Sequence, residues 1–197
     1  MSKTTLCLVR HGQTDWNKDQ LIQGLTDNPL NDLGVAQAHA AGKFINTEAS
    51  MPKWDIIISS PLTRAHKTAQ IIATHLNYTG EIILIDDFKE RDFGLASGQH
   101  VDDYYQAVME DNVDLMERHD ELITRVRRGL DYVTTTYKNK NILIVCHSHT
   151  IKAAIIQISN YAYDFTLKLD NTSLSLIEHQ DLTYRLIAHN ISDHTTF

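Results

Sequence analysis

The chain has 197 residues, 42% hydrophobic and 22% charged, enough for one domain that can bury its own core without a metal or disulfide staple. Eighteen Lys and Arg stand against 25 Asp and Glu, a net charge of −7, which argues against a general nucleic-acid binder but leaves room for a local anion pocket. The two cysteines, Cys7 and Cys146, form no C-x-x-C, so they support neither a thiolate zinc site nor a disulfide scaffold, and both are expected as free thiols.

Thr4 to Val9 is rich in Thr, Leu and Val and reads as a buried strand. Its apolar stretch is too short for a signal peptide, and no apolar run approaches the ~18 residues of a membrane span, so a cytoplasmic protein is expected. A polar loop follows from Gly12 to about Asn31. Asp32 is placed to cap a helix from Leu33 to about Thr47, with Val35, Ala38, Ala41, Gly42 and Ile45 near helical spacing. Asp55 to Ser59 is a second buried strand. Pro61 suits the first turn of a helix whose inner face is Leu62, Ala65, Ala69, Ile72, Ala73 and Leu76.

Glu81 to Ile85 reads as a third strand and Asp86 to Gln99 as loop. Val101 to Glu117 is acidic and expected to be partly helical. His119 to Tyr137 is a helix with Leu122, Val126, Leu130 and Val133 on one side. Asn141 to Cys146 is a fourth buried strand, and helix returns from Thr150 to about Ser159. In the tail, Phe165 to Leu169, Ser173 to His179 and Tyr184 to His189 read as strands, with a turn at Asp181 to Thr183. This order predicts an α/β three-layer sandwich: a mainly parallel, mixed sheet with helices on both faces. One domain over 1–197 is expected, with a short cap-like segment at about 98–120.

In such sheets ligands bind beyond the carboxyl ends of the strands. Two of the four buried strands end in Arg10-His11-Gly12 and His147-Ser148-His149; a third ends in Ser59-Ser60-Pro61, just before Arg64. His39, His66, His75, His119, His189 and His194 have no neighbours that suggest chemistry. A metal competes for the histidines, but Arg10 and Arg64 would repel a cation and there is no H-E-x-x-H; no metal and no cofactor is expected. Arginine beside histidine suits a phosphate, since the guanidinium forks onto two oxygens and keeps its charge.

Leu8-Val9-Arg10-His11-Gly12-Gln13-Thr14 with Trp16-Asn17 resembles the signature of the histidine phosphatase superfamily, in its phosphoglycerate-mutase-like branch. Gln23-Gly24, Asp27 to Leu30, and Leu33-Gly34 with Gln37-Ala38 resemble the family's next loop and first helix. Ser59 to Ala65 with Thr68-Ala69, Glu90 to Gly94, and Val145 to Ser148 resemble its later motifs, in family order. The resemblance implies that His11 becomes a phosphohistidine and that Arg10, Arg64 and His147 bind the transferring phosphoryl oxygens. It implies that Glu90 is the general acid and base. Asn17, Gln23 and Gly24 match positions lining the phosphate or ester oxygen. Ser148 departs from the family's common Gly, yet its amide and hydroxyl can still serve the anion, and the first amides of the following helix can add to that site. Cys146 stands where Ser is frequent.

Family members divide into phosphatases and mutases. A mutase must hold the second anionic end of a phosphoglycerate, yet no Lys or Arg lies between Arg91 and Arg118, and seven acids do. If that segment caps the pocket, its carboxylates would repel a polyanion; the alternative is that they merely face water on an amphipathic helix. Arg91 is the remaining candidate for a substrate carboxylate; Tyr104, Tyr105 and Met109 are candidates for an apolar wall. The expected activity is a metal-independent phosphatase acting on a small phosphorylated metabolite, with neither nucleic acid nor membrane as partner. A phosphoglycerate mutase is the alternative, and a non-catalytic phospho-ligand-binding protein a weaker one, because pure binding needs no Glu90.

Overall fold

The structure is a computed structural model and describes residues 3–195; the expected domain's outermost residues, 1–2 and 196–197, lie outside them. Six strands form one sheet: β1 (Thr4–Arg10), β2 (Ile56–Ser59), β3 (Ile83–Leu84), β4 (Asn141–Cys146), β5 (Leu174–Gln180) and β6 (Thr183–Ile191). Their spatial order is β3-β2-β4-β1-β5-β6. The first four run parallel, and β5 and β6 add antiparallel on the β1 side. The mixed, mainly parallel sheet expected from the sequence is therefore present.

Strand geometry divides the core. Alternate residues point to opposite faces. Leu6, Leu8, Ile142 and Ile144 pack under α5 (His119–Thr136) and α6 (Ser148–Ile158). Cys7, Val9, Leu143 and Val145 pack under α2 (Asp32–Thr47) and α3 (Thr63–His75). The cysteines thus lie in different cores, Cys7 opposite Leu143 and Cys146 opposite Arg10 in register. Both are free thiols, and burial pushes both thiols up.

Several boundaries shift for local reasons. Asn31, not Asp32, caps α2 by accepting from the Gly34 amide at 2.9 Å. Helix α3 begins after Pro61 and has no cap of its own. Asp27, distant in sequence, accepts from the Thr63 amide at 2.7 Å and from its hydroxyl at 2.6 Å. In the acidic segment, α4 covers only Val101–Met109, and Asp111 and Leu115 take left-handed backbone beyond it. A short α1 (Asp15–Lys18) is capped by Thr14.

The strand expected over Phe165 to Leu169 is a correction: that stretch is loop. Both flanks of β1 are already taken by β4 and β5, and the apolar residues Phe165 and Leu169 act as plugs in the α5–α6 core. Their carbonyls serve side chains of the cleft instead, accepting from Lys152 Nζ at 2.8 Å and from Arg10.

Candidate active site

Strands β1 and β4 end level, Arg10 opposite Cys146, so His11 and His147 leave the sheet side by side. The His11 amide extends the ladder onto the Cys146 carbonyl at 3.0 Å, and Ser60 reaches the same rim by donating its amide to Val145. The loop after His11 lies directly on α2. A Cβ on Gly34 would sit 2.0 Å from the Gln13 carbonyl oxygen, and one on Gly12 would sit 2.3 Å from that of Gly34. The Gly12 amide donates to Thr68 Oγ1 at 3.1 Å, and that hydroxyl donates to the Arg64 carbonyl at 2.8 Å. The histidine loop and the helix bearing Arg64 are thereby tied together.

His11 is 3% exposed, and its Nδ1 lies 2.7 Å from the Gly12 carbonyl oxygen. A carbonyl can only accept, so Nδ1 carries the proton and Nε2 keeps its lone pair. Burial, then the charges of Arg64 and Arg10, hold the imidazole well below its usual pKa, so the ring is neutral. The His147 ring lies 5.1 Å away, centroid to centroid. Its Nε2 is 2.8 Å from Ser60 Oγ, while its Nδ1 is buried without a partner among the described residues.

Arg64 is 1% exposed and donates to the carbonyls of Gly24 and Thr26, each at 2.8 Å. Burial lowers its pKa to about 10, so it stays cationic near neutrality. Arg10 Nε and Arg64 Nε are also buried without hydrogen-bond partners among the described residues. An unsatisfied buried donor costs about 1–3 kcal/mol. The two guanidinium N–H groups, on arginines that line the cleft beside one neutral histidine, make a ready set of contacts for an oxyanion.

Glu90, 7% exposed, also lines this cleft. Its Oε1 accepts from the amides of Arg91 (3.0 Å) and Thr150 (3.3 Å), and its Oε2 from the amide of His149 (3.3 Å). The second and third amides of α6, those of His149 and Thr150, therefore hold Glu90; the first, that of Ser148, belongs to a residue lining the cleft.

The cleft, about 210 Å³, brings together Arg10, His11, Arg64 and Glu90 with Asn17, Gln23, Gly24 and Ser148. His147, its ring next to that of His11, is not among the residues lining the cleft. Helix α4 contributes Val101, Tyr105, Val108 and Met109, a stripe at helical spacing; Tyr104 packs beside it. Arg91 is a correction. It is fully buried, does not line the cleft, and spends its guanidinium on Asp111, the Glu117 carbonyl (2.8 Å) and the Val108 carbonyl (3.4 Å). None of the segment's acids lines the cleft: Asp111 pairs with Arg91 and Glu117 with Arg125, while Asp102 and Asp103 are exposed.

Three residues here were given no role from the sequence. Ser60 orients His147; His149 and Lys152 line the cleft from α6. The last two were findable in principle, since positions 149 and 152 share one face of a helix starting at a strand end. Among the described residues no three His, Cys, Asp or Glu side chains are placed to hold a metal ion. None of their helices is long and apolar enough to cross a membrane.

A parallel sheet with this histidine–arginine rim defines a phosphoryl-handling class, and the chain belongs to the histidine phosphatase superfamily (branch 1), which it matches over residues 6–192. It is 40% identical over 192 residues to an uncharacterized phosphatase, PhoE, of Bacillus subtilis, covering 97% of this chain and 96% of that one. It is 31% identical over 180 residues, 84% of each chain, to a 2,3-bisphosphoglycerate-dependent phosphoglycerate mutase of Allorhizobium ampelinum. A mutant phosphoserine phosphatase of Entamoeba histolytica, solved with phosphoserine, superposes with a TM-score of 0.83 at 28% identity, over 97% of this chain and 98% of that one. The expected family and fold are both borne out.

Proposed function

We infer that this chain is a phosphatase that hydrolyses a phosphate monoester through a phosphohistidine formed at His11, with no metal ion in the reaction. The observation that carries the reading is the Nδ1–Gly12 contact of a buried, neutral His11 between two arginines. His11 Nε2 attacks phosphorus and the P–O bond to the leaving group breaks. Arg10, Arg64 and His147 stabilise the three equatorial oxygens, where preorganised donors contribute most. Glu90 protonates the departing alkoxide, then takes a proton from the water that cleaves the P–N bond. Asn17, Gln23, Gly24 and Ser148 position the ester.

Residues 98–120 act as a cap whose α4 stripe contacts the leaving group. The expected repulsion of a polyanion by that segment has no support in the geometry, because its acids face elsewhere. The preference for hydrolysis over mutase chemistry rests instead on the apolar character of the α4 wall and on the relation to PhoE. The substrate is a small phosphorylated metabolite, encountered in the cytoplasm, with neither nucleic acid nor membrane as partner.

The test is release of phosphate from a panel of monoesters in EDTA. Wild-type protein quenched in alkali after mixing with substrate should carry an acid-labile phosphate on His11, and His11→Ala should lose turnover. Phosphate on a serine or aspartate, or activity that EDTA abolishes, would overturn the mechanism.

A further inference from the structure

In the sequence neither His39 nor His75 has a neighbour that suggests chemistry, yet the fold sets them against each other where α2 packs on α3. His39 Nδ1 lies 3.0 Å from His75 Nε2, and the rings stand 5.2 Å apart, centroid to centroid, at 83°. The His75 ring is seated on α2 itself. A Cβ on Gly42 would come within 2.8 Å of His75 Cδ2, so a side chain there would push the imidazole away. Gly42 follows His39 by three residues, on the same side of α2, and the seat therefore faces the partner ring. His39 is exposed and His75 half-buried, so solvent reaches the pair. Their outer nitrogens, His39 Nε2 and His75 Nδ1, make no hydrogen bond among the described residues. Neither histidine lines the catalytic cleft.

In a neutral pair one of the facing nitrogens donates and the other accepts. Moving that hydrogen to the outer nitrogen of the same ring leaves two facing lone pairs, with no proton lost. Neutral imidazole is the commonest metal ligand, and the spacing here suits two ligands on one ion. Two metal–nitrogen bonds of about 2.0–2.1 Å whose ends lie 3.0 Å apart subtend about 90–100° at the metal. That is the cis angle of a tetragonal site and is narrower than the tetrahedral angle of about 109° that zinc prefers. We propose that His39 and His75 form a surface site for a tetragonal divalent ion, Cu²⁺ or Ni²⁺ ahead of Zn²⁺, with water completing the coordination. Two protein ligands make it an open, exchangeable site, in keeping with the absence of any third His, Cys, Asp or Glu placed to join them among the described residues. Mg²⁺ and Ca²⁺, which seek oxygen ligands, are excluded by the donor set. The ion cross-links α2, whose Gly34 abuts the loop after His11, to α3, which carries Arg64. It therefore braces the frame behind the phosphoryl site and takes no part in the reaction. The site does not depend on the phosphatase reading.

The test adds sub-stoichiometric Cu²⁺ to isotope-labelled, metal-stripped protein carrying no affinity tag, and follows the amide signals. Paramagnetic broadening should begin at residues 36–42 of α2 and 72–76 of α3. It should vanish from both in His39→Gln, a change at an exposed position. Calorimetry with NiCl₂ should find a site whose affinity falls about tenfold or more in His39→Gln and in His75→Gln, since even an outer-shell partner of a metal is commonly worth that much. Zn²⁺ should bind there more weakly than Ni²⁺, and Ni²⁺ should raise the urea midpoint of the wild type but not of His39→Gln. Phosphate release in EDTA should be the same for the wild type and His39→Gln. Broadening that starts at His11 and His147, or that persists at α2 and α3 in His39→Gln, would overturn the site. Tighter binding of Zn²⁺ than of Ni²⁺ would overturn its tetragonal character. If His75→Gln does not fold, His39→Gln decides alone.

Discussion

Three buried histidines should make this protein acid-sensitive in a window where carboxylates are silent. His11, His147 and His149 are each held well below the ordinary imidazole value of 6.5, first by burial and then by neighbouring charge, mainly Arg64 for His11 and His147 and Lys152 for His149. The unfolded chain binds three protons near pH 6.5 that the folded chain refuses. Protons therefore favour unfolding. The full stability is present above about pH 6.5 and drains away as pH falls toward the folded values. Between pH 7 and 5.5 each refused proton is worth about 1.3 kcal/mol, so the three together cost at most about 4 kcal/mol. That is a large share of the ~5–15 kcal/mol of a typical domain. Ordinary carboxylates ionise well below this window and hardly contribute. Urea unfolding at pH 7.0 and 5.5 should show the midpoint falling by about 2 M for an m near 2 kcal/mol/M. His149→Asn should remove part of the dependence, to which His119, His179 and His194, also lowered by burial, contribute as well. A midpoint that stays put over this interval would show that the histidines titrate alike in both states and would refute the neutral-nucleophile argument as well.

Glu90→Gln should slow alkyl esters far more than aryl phosphates, because a good leaving group needs little protonation; equal losses on both would mean that Glu90 acts by structure alone. Gly34→Ala, which in an ordinary helix gains up to about 1 kcal/mol, should here destabilise by roughly 1–3 kcal/mol and cut activity at least tenfold, since its methyl meets the Gln13 carbonyl. A raised melting temperature with full activity would contradict the contact. Thiol titration of unfolded, unreduced protein should find two free sulfhydryls, and finding none would contradict the placement of Cys7 and Cys146 on opposite sides of the sheet.

Much of the chain could be read in advance because its signals are periodic and local. The apolar runs of β1 and β4 are buried on both faces, and the α5 stripe of Leu122, Val126, Leu130 and Val133 is unbroken. The rim of Arg10, His11, Arg64 and His147 was legible as strand-end chemistry sharpened by motif resemblance, and Glu90 by the resemblance alone. What escaped depends on partners distant in sequence. Arg91 looks like a site arginine until Asp111, twenty residues on, claims it. The Phe165 to Leu169 stretch has strand composition but no free edge beside it. Lys152 belongs to no motif and matters only because α6 faces α4 across the cleft.

The buried Arg91 and its companion Arg125 have an evolutionary consequence. Arg125 grips both oxygens of Glu117 at 2.7 Å and the carbonyls of Asp87, Lys89 and Glu90, while Arg91 grips Asp111 and the carbonyls of Val108 and Glu117. Glu90 and the far end of α4 are thus mounted on one polar strut whose side chains do not line the cleft. The four α4 residues that do face it, Val101, Tyr105, Val108 and Met109, make none of these side-chain bonds. Such a division lets mutation explore new leaving groups at those four positions while the chemistry behind them stays in register. Substrate range in this chain is therefore free to drift quickly on a catalytic frame that drifts slowly.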